Sequence, residues 1–216
     1  MIDFPEIQAV LFDIDGTLID SMPIWDELGA RYLRARNIEP EPELGKILLP
    51  MTIDEGVTYL KEHYSLSDKK EAIRAGLMKT IDDFYRFEVP QKDGADAFLK
   101  RIAADGIPMV LTTIGEPAQE EAALTRLGLR RYFGKMYVCE EYHTTKKEPL
   151  IYQIAARELG VSPEHTLVAE DMLQAVRAAK CAGFRTLAVA DEASRPDRTE
   201  LIRTADRFID SFRELL

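Results

Sequence analysis

Four short runs of consecutive apolar residues punctuate the chain: AVLF (9–12), PMVLTT (108–113), TLVAE (166–170) and TLAVA (186–190). Each is rich in Val, Leu or Ala and none alternates with polar residues, the pattern of strands buried on both faces of a parallel sheet. A fifth run, MYVCE (136–140), fits the same role. The intervening segments carry helical spacing, with Ala95, Phe98, Leu99 and Ile102 on one stripe and Ala122, Leu124 and Leu127 on another. From about residue 93 strand and helix alternate to the end, which predicts a doubly wound α/β sheet.

Residues 20–90 break that rhythm. They hold no strand pattern but three helical ones: Ile24, Leu28 and Tyr32 with Trp25 beside them; Ile53, Val57 and Leu60; and Ile73, Leu77, Ile81 and Tyr85, flanked by Phe84 and Phe87. Pro40, Pro42 and Pro50 punctuate the connections. An all-helical insert is therefore expected after the first strand, before the chain returns to the sheet.

In an open parallel sheet, ligands bind beyond the carboxyl ends of the strands. The first run ends in Asp13-Ile14-Asp15-Gly16-Thr17, the second in Thr112-Thr113, and the run at 166–170 in Glu170-Asp171. Lys146-Lys147 is read as opening the helix ahead of that last run. Each element alone has a bland reading, as a solvated turn, a helix cap or strand filler. At successive ends of one sheet they would converge. Clustered carboxylates select a hard cation such as Mg²⁺, an Asp can serve as a covalent nucleophile toward phosphorus, and a second carboxylate can protonate a leaving alcohol. Lysine and threonine would stabilise the charge that spreads over the equatorial oxygens.

Composition narrows the partners. The net charge of -10 speaks against a nucleic-acid footprint, and no run approaches the roughly 18 apolar residues of a membrane span. Phosphate chemistry on so acidic a chain must be managed locally. The stretch MIDFPEIQAV lacks the pattern of a secretory signal, and Cys139 and Cys181 lack the spacing of a disulfide scaffold. A reducing cytoplasm is expected, with both cysteines as small core residues. His63, His143 and His165 show no ligand spacing, and Trp25 is read as a packing residue of the helical insert.

Taken in order, these residues resemble the haloacid dehalogenase (HAD) superfamily, in the phosphoglycolate phosphatase/β-phosphoglucomutase-like branch with a C1 helical cap. AVLFDIDGTLIDS resembles the first family motif, GIPMVLTTIG the second, KKEPLIYQIAARELGV the third and TLVAEDMLQAVRAAKCAGF the fourth, covering nearly the whole chain. The resemblance implies a Rossmann-like parallel-sheet core from residues 1–18 and 90–216, with a helical cap domain at 19–89. It also implies a Mg²⁺-dependent phosphatase that hydrolyses a small phosphorylated metabolite through an aspartyl-phosphate, as a monomer or weak homodimer. Asp13 would be nucleophile and metal ligand; Asp15 general acid/base, with its backbone carbonyl on the metal; Asp171 the main acidic ligand, with Glu170 in support. Lys146 would steady the nucleophile and phosphate, the amides of Ile14 and Asp15 would cradle the phosphoryl group, and Thr113, with Thr112 as fallback, would be the hydroxyl of the second motif.

Three positions depart from the family pattern. Ile114 stands where Asn or Ser is usual, Lys146-Lys147-Glu148-Pro149 replaces Lys-Pro-x-Pro, and Ala175 stands where Gly is common. Asp15 separates phosphate esters from haloacids, since the dehalogenase members lack that second carboxylate. A β-phosphoglucomutase-like phosphomutase is the alternative within the family; the stretch LLPMTIDEG (48–56) lacks its cap arginine, which favours hydrolysis. A non-catalytic phosphate-binding or phosphoacceptor module is the alternative from another class.

Overall fold

The structure, a computed structural model, describes residues 6–216. Residues 1–5, included in the expected core domain and in the stretch read for a secretory signal, lie outside the described residues. The chain forms two compact units, one of residues 6–20 with Pro90–Leu216, the other Ser21–Val89.

The first unit is built on a six-stranded sheet: β1 (Ala9–Phe12), β2 (Met109–Thr113), β3 (Met136–Val138), β4 (Thr166–Glu170), β5 (Arg185–Val189) and β6 (Arg207–Ile209). Their order is β3-β2-β1-β4-β5-β6, with every pairing parallel. This is a Rossmann-like α/β core. The chain builds outward from β1 to one side and then crosses to the other, so the order reverses between β1 and β4. Such a switch point is where α/β sheets bind ligands.

Alternation along β1 divides the core. Leu11 faces a cluster with Val110, Tyr137 and Val168 from neighbouring strands and Ile151, Tyr152 and Ala155 from the helix Leu150–Leu159. Phe12, one residue on, meets Phe98 and Phe133 edge-on, and Phe98 stacks on Phe212. Side chains buried to this degree stabilise the fold by roughly 1.5–3 kcal/mol each. That two-sided burial explains why the strands read as unbroken apolar runs.

Three local expectations are corrected. The run at 136–140 is strand only to Val138; Cys139–Tyr142 forms a 3₁₀ turn closed by His143 in the left-handed region, although Cys139 is buried as expected. The helix following Lys146-Lys147 begins only at Leu150, with Pro149 at its N-cap, so Lys146 lies in the preceding turn. Cys181 is exposed rather than core, because it is the last residue of the helix Leu173–Cys181.

The second unit is helical: α1 (Pro23–Arg34), α2 (Leu44–Leu48), α3 (Ile53–His63), α4 (Lys70–Asp83) and a π-helical turn Phe84–Glu88. Ile24, Leu28, Tyr32, Val57, Leu60, Ile73, Leu77 and Ile81 are buried, as their spacing requires. Thr52 caps α3 through a reciprocal bond with Glu55. Trp25 is 39% exposed and lines an apolar hollow of the insert with Leu28, Leu48 and Met51. The ends of the sheet unit that flank this insert are tied together: Asp20 N–H donates to the Pro90 carbonyl at 2.9 Å, Lys92 N–H to that of Leu18 at 2.9 Å, and Ile19 pairs antiparallel with Gln91.

Candidate active site

Beyond β1 the backbone turns sharply. The Ile14 carbonyl collects the N–H groups of Thr17, Leu18 and Ile19, and Gly16 closes the turn at φ +81° by donating to the Ile19 carbonyl. Glycine is needed here twice over. That φ disfavours any side chain, and a Cβ at Gly16 would sit 2.6 Å from Asp171 Oδ2.

The turn puts Asp13 at the switch point, opposite the end of β4. Asp13, Glu170 and Asp171 are all buried, and each offers a carboxylate oxygen within 4.8 Å of the others. Lys146 reaches in from the turn before its helix. It bonds Asp13 Oδ1 and lies 2.7 Å from Glu170 Oε1. Lys147 is exposed. The Tyr152 hydroxyl donates to Glu170 Oε1 at 2.8 Å.

One ammonium therefore pairs with two of the three carboxylates, Asp13 and Glu170, and makes no ion pair with Asp171. Burial opposes the Lys146 charge, but Asp13 and Glu170 prevail and hold its pKa above the ordinary value. Burial and repulsion from Asp13 push Glu170 up to about 7, against the pull of Lys146 and Tyr152. Asp171, buried and facing Asp13, Glu170 and Asp191, is pushed well above the carboxylate range. Asp13 Oδ2 and Glu170 Oε2 are buried without a hydrogen-bond partner. Orphaned oxygens in an under-neutralised cluster of hard donors suit a divalent cation such as Mg²⁺.

On the other side of β1, alternation separates the two threonines of β2. Thr113 Oγ1 accepts from Gly115 N–H at 2.8 Å and donates to Glu120 Oε1 at 2.5 Å. Thr112 Oγ1 is buried with no partner. Ile114, between Thr113 and Gly115, is 59% exposed. The Asp15 side chain lies outside the three-carboxylate group and instead shares a hydrogen bond with Glu120.

Glu120, in the helix Pro117–Arg126, is not among the candidates read from the sequence. It is fully buried, and burial together with Asp15 pushes its pKa up to about 9. Its signal is present all the same: Glu120 shares the buried face with Ala123 and Leu124, a charge where the helical period calls for an apolar residue. Asp191, after β5, is a second residue the sequence reading misses. Its carboxylate takes Lys92 Nζ at 2.5 Å and Ala193 N–H at 2.8 Å. The histidines lie elsewhere. His63 stacks on Tyr59, His165 meets the Glu6 carbonyl and His143 is exposed.

A parallel sheet in the order 3-2-1-4-5-6, with an Asp-x-Asp turn after the central strand and an acidic pair and a buried lysine beside it, defines a haloacid dehalogenase-like hydrolase. The chain belongs to that family, whose model matches residues 7–183. The "Phosphorylated carbohydrates phosphatase" of Thermotoga maritima is 26% identical over 181 residues, covering 84% of each chain. Hexitol phosphatase B of Escherichia coli is 28% identical over 216 residues, covering 97% of this chain and 95% of its own. Among solved structures, CbbY from Rhodobacter sphaeroides, in complex with phosphate, matches with a TM-score of 0.70 at 27% identity, across 97% of this chain and 96% of that one. No helix among the described residues is long and apolar enough to cross a membrane.

Proposed function

We propose that this hydrolase is a Mg²⁺-dependent phosphatase that cleaves a small phosphate monoester through an aspartyl-phosphate on Asp13, with Ser21–Val89 as its cap module. One observation carries the reading: Asp13 sits at the switch point with Oδ1 on Lys146 and Oδ2 buried and unpartnered, beside an acidic pair and two residues before Asp15. The names of the relatives agree, since the two curated ones are a phosphorylated carbohydrates phosphatase and a hexitol phosphatase and CbbY was solved in complex with phosphate.

Asp13, Asp171 and the Asp15 backbone carbonyl would hold Mg²⁺, with Glu170 in support. When bound, the ion neutralises phosphoryl oxygens so that a carboxylate can approach phosphorus. The Asp13 carboxylate attacks phosphorus, the P–O bond to the leaving group breaks, and Asp15 gives its proton to the departing alkoxide. Asp15 then takes a proton from water as the water attacks the aspartyl-phosphate, releasing phosphate and restoring Asp13. Lys146 pairs with Asp13 Oδ1 and orients the carboxylate. Thr113 and the amides of Ile14 and Asp15 contact the phosphoryl oxygens.

The test is sustained Mg²⁺-dependent turnover of p-nitrophenyl phosphate, abolished in Asp13→Asn. A single stoichiometric phosphorylation without turnover would instead favour a phosphoacceptor module. Near-full activity in Asp13→Asn would remove the nucleophile assignment.

A further inference from the structure

Glu120 is a carboxyl that the reaction as written does not use. It is completely buried at the start of its helix, and its Oε1 receives the Thr113 hydroxyl at 2.5 Å while the same carboxyl shares a hydrogen bond with Asp15. Its other oxygen, Oε2, has no partner. The turn above it is made to fit. Gly115 N–H closes onto Thr113 Oγ1 at 2.8 Å, and a Cβ at Gly115 would collide with Glu120 Oε1 and come 2.9 Å from Asp15 Oδ2. Glu120 is thus wedged under the turn, touching both a phosphate-side hydroxyl and the carboxyl assigned to the leaving group.

Packing alone does not explain a carboxyl at this place. Ala123 and Leu124 share its face, and an apolar side chain there would avoid the desolvation of a buried polar group. We propose that Glu120 is a positioning residue that holds the Asp15 carboxyl on the line to the leaving oxygen while tethering the Thr113 hydroxyl. The proposal rests on the reading of Asp15 as the leaving-group acid, and the two can be tested apart.

An acid matters most when the leaving group is poor. A misaimed Asp15 therefore slows release of an alkoxide far more than release of p-nitrophenolate, whereas general damage to the fold slows both alike. The experiment compares kcat/KM for p-nitrophenyl phosphate with that for whichever sugar phosphate the wild-type enzyme turns over fastest, in Glu120→Leu, Glu120→Gln and Asp15→Asn. In Glu120→Leu the ratio of sugar phosphate to p-nitrophenyl phosphate activity should fall about 10- to 100-fold, the loss expected of a misplaced general acid. That loss should lie in kcat rather than KM. Glu120→Gln keeps the shape and the hydrogen bonds and should recover most of it. If Glu120→Leu does not fold, Glu120→Ala takes its place. Equal losses on the two esters, or no recovery in Glu120→Gln, overturn the proposal. An unchanged ratio in Asp15→Asn overturns it together with the acid assignment; a lowered ratio in Asp15→Asn but not in the Glu120 truncation overturns it alone.

Discussion

Replacing Asp171 with asparagine should make the metal-free protein more stable while removing its activity. Asp171 is 3% exposed, and its carboxylate lies within 4.8 Å of those of Asp13 and Glu170. At that separation, with an effective dielectric of about 20, two unit charges repel by roughly 3–4 kcal/mol. Lys146 pairs with Asp13 and Glu170 but makes no ion pair with Asp171. Burial first and its neighbours second disfavour the ionised form of Asp171 and push its pKa up. The amide of the variant carries no charge. The expected gain at pH 8 is about 2–4 kcal/mol, half or less of the full repulsion from two neighbours, because Lys146 offsets part of it. For a chain of 216 residues this is a rise in Tm of about 5–15 °C. Thermal unfolding by circular dichroism in excess EDTA reads it directly. Adding Mg²⁺ should then raise the wild-type midpoint, by about 2.7 kcal/mol of stabilisation at a hundred times Kd, and leave Asp171→Asn nearly unmoved. A variant that melts at or below wild type in EDTA, or equal Mg²⁺ stabilisation of both proteins, would refute the electrostatic account of the cluster.

Other perturbations follow from the same geometry. Gly16→Ala should lose about 1–2 kcal/mol to the left-handed backbone alone and more to the contact with Asp171, measured by urea unfolding; an unchanged midpoint would show that the turn relaxes freely. Lys146→Met leaves Asp13 and Glu170 buried without their cation, so it should destabilise the EDTA-treated protein by about 3–5 kcal/mol, with Mg²⁺ recovering part. Stability should also fall as pH rises across the Glu120 window. Folded Glu120 keeps its proton to about pH 9, while the unfolded side chain loses it near 4.5, so unfolding releases a proton in between and stability drops by up to about 1.4 kcal/mol per pH unit. Glu120→Gln should flatten that slope in pH-dependent urea titrations, and an unaltered slope would mean that Glu120 is ionised in the folded state.

The sheet was legible because β1, β2 and β4 are buried on both faces, and only Val- and Leu-rich runs can fill such positions. β6 escaped because Arg207, Phe208 and Ile209 form too short an edge strand to mark themselves, and α2 because five residues give no helical period. The acidic residues stood out because Asp13-Ile14-Asp15 and Glu170-Asp171 close the ends of apolar runs. Other features depend on the folded backbone. Lys146 and Lys147 are alike as letters; the resemblance to the third motif singled out Lys146, and the turn before Leu150 buries it while exposing Lys147. Glu120 stands on the apolar face of its helix with Ala123 and Leu124, a signal in the helical period, but its partners Thr113 and Asp15 are set only by the Gly115 turn that folds over it.

The bonds that join Asp20 to Pro90 and Ile19 to Gln91 have a consequence for how such a chain diversifies. The sheet unit is stitched shut where the helical insert leaves and returns, so the insert is a closed loop whose length adds little to the entropy of joining its ends. A module with adjoining termini can be exchanged at that seam without disturbing the register of β1. The insert is then free to change by recombination while the carboxylates keep their places, and a chimera joined at Asp20 and Pro90 is the natural way to exchange it.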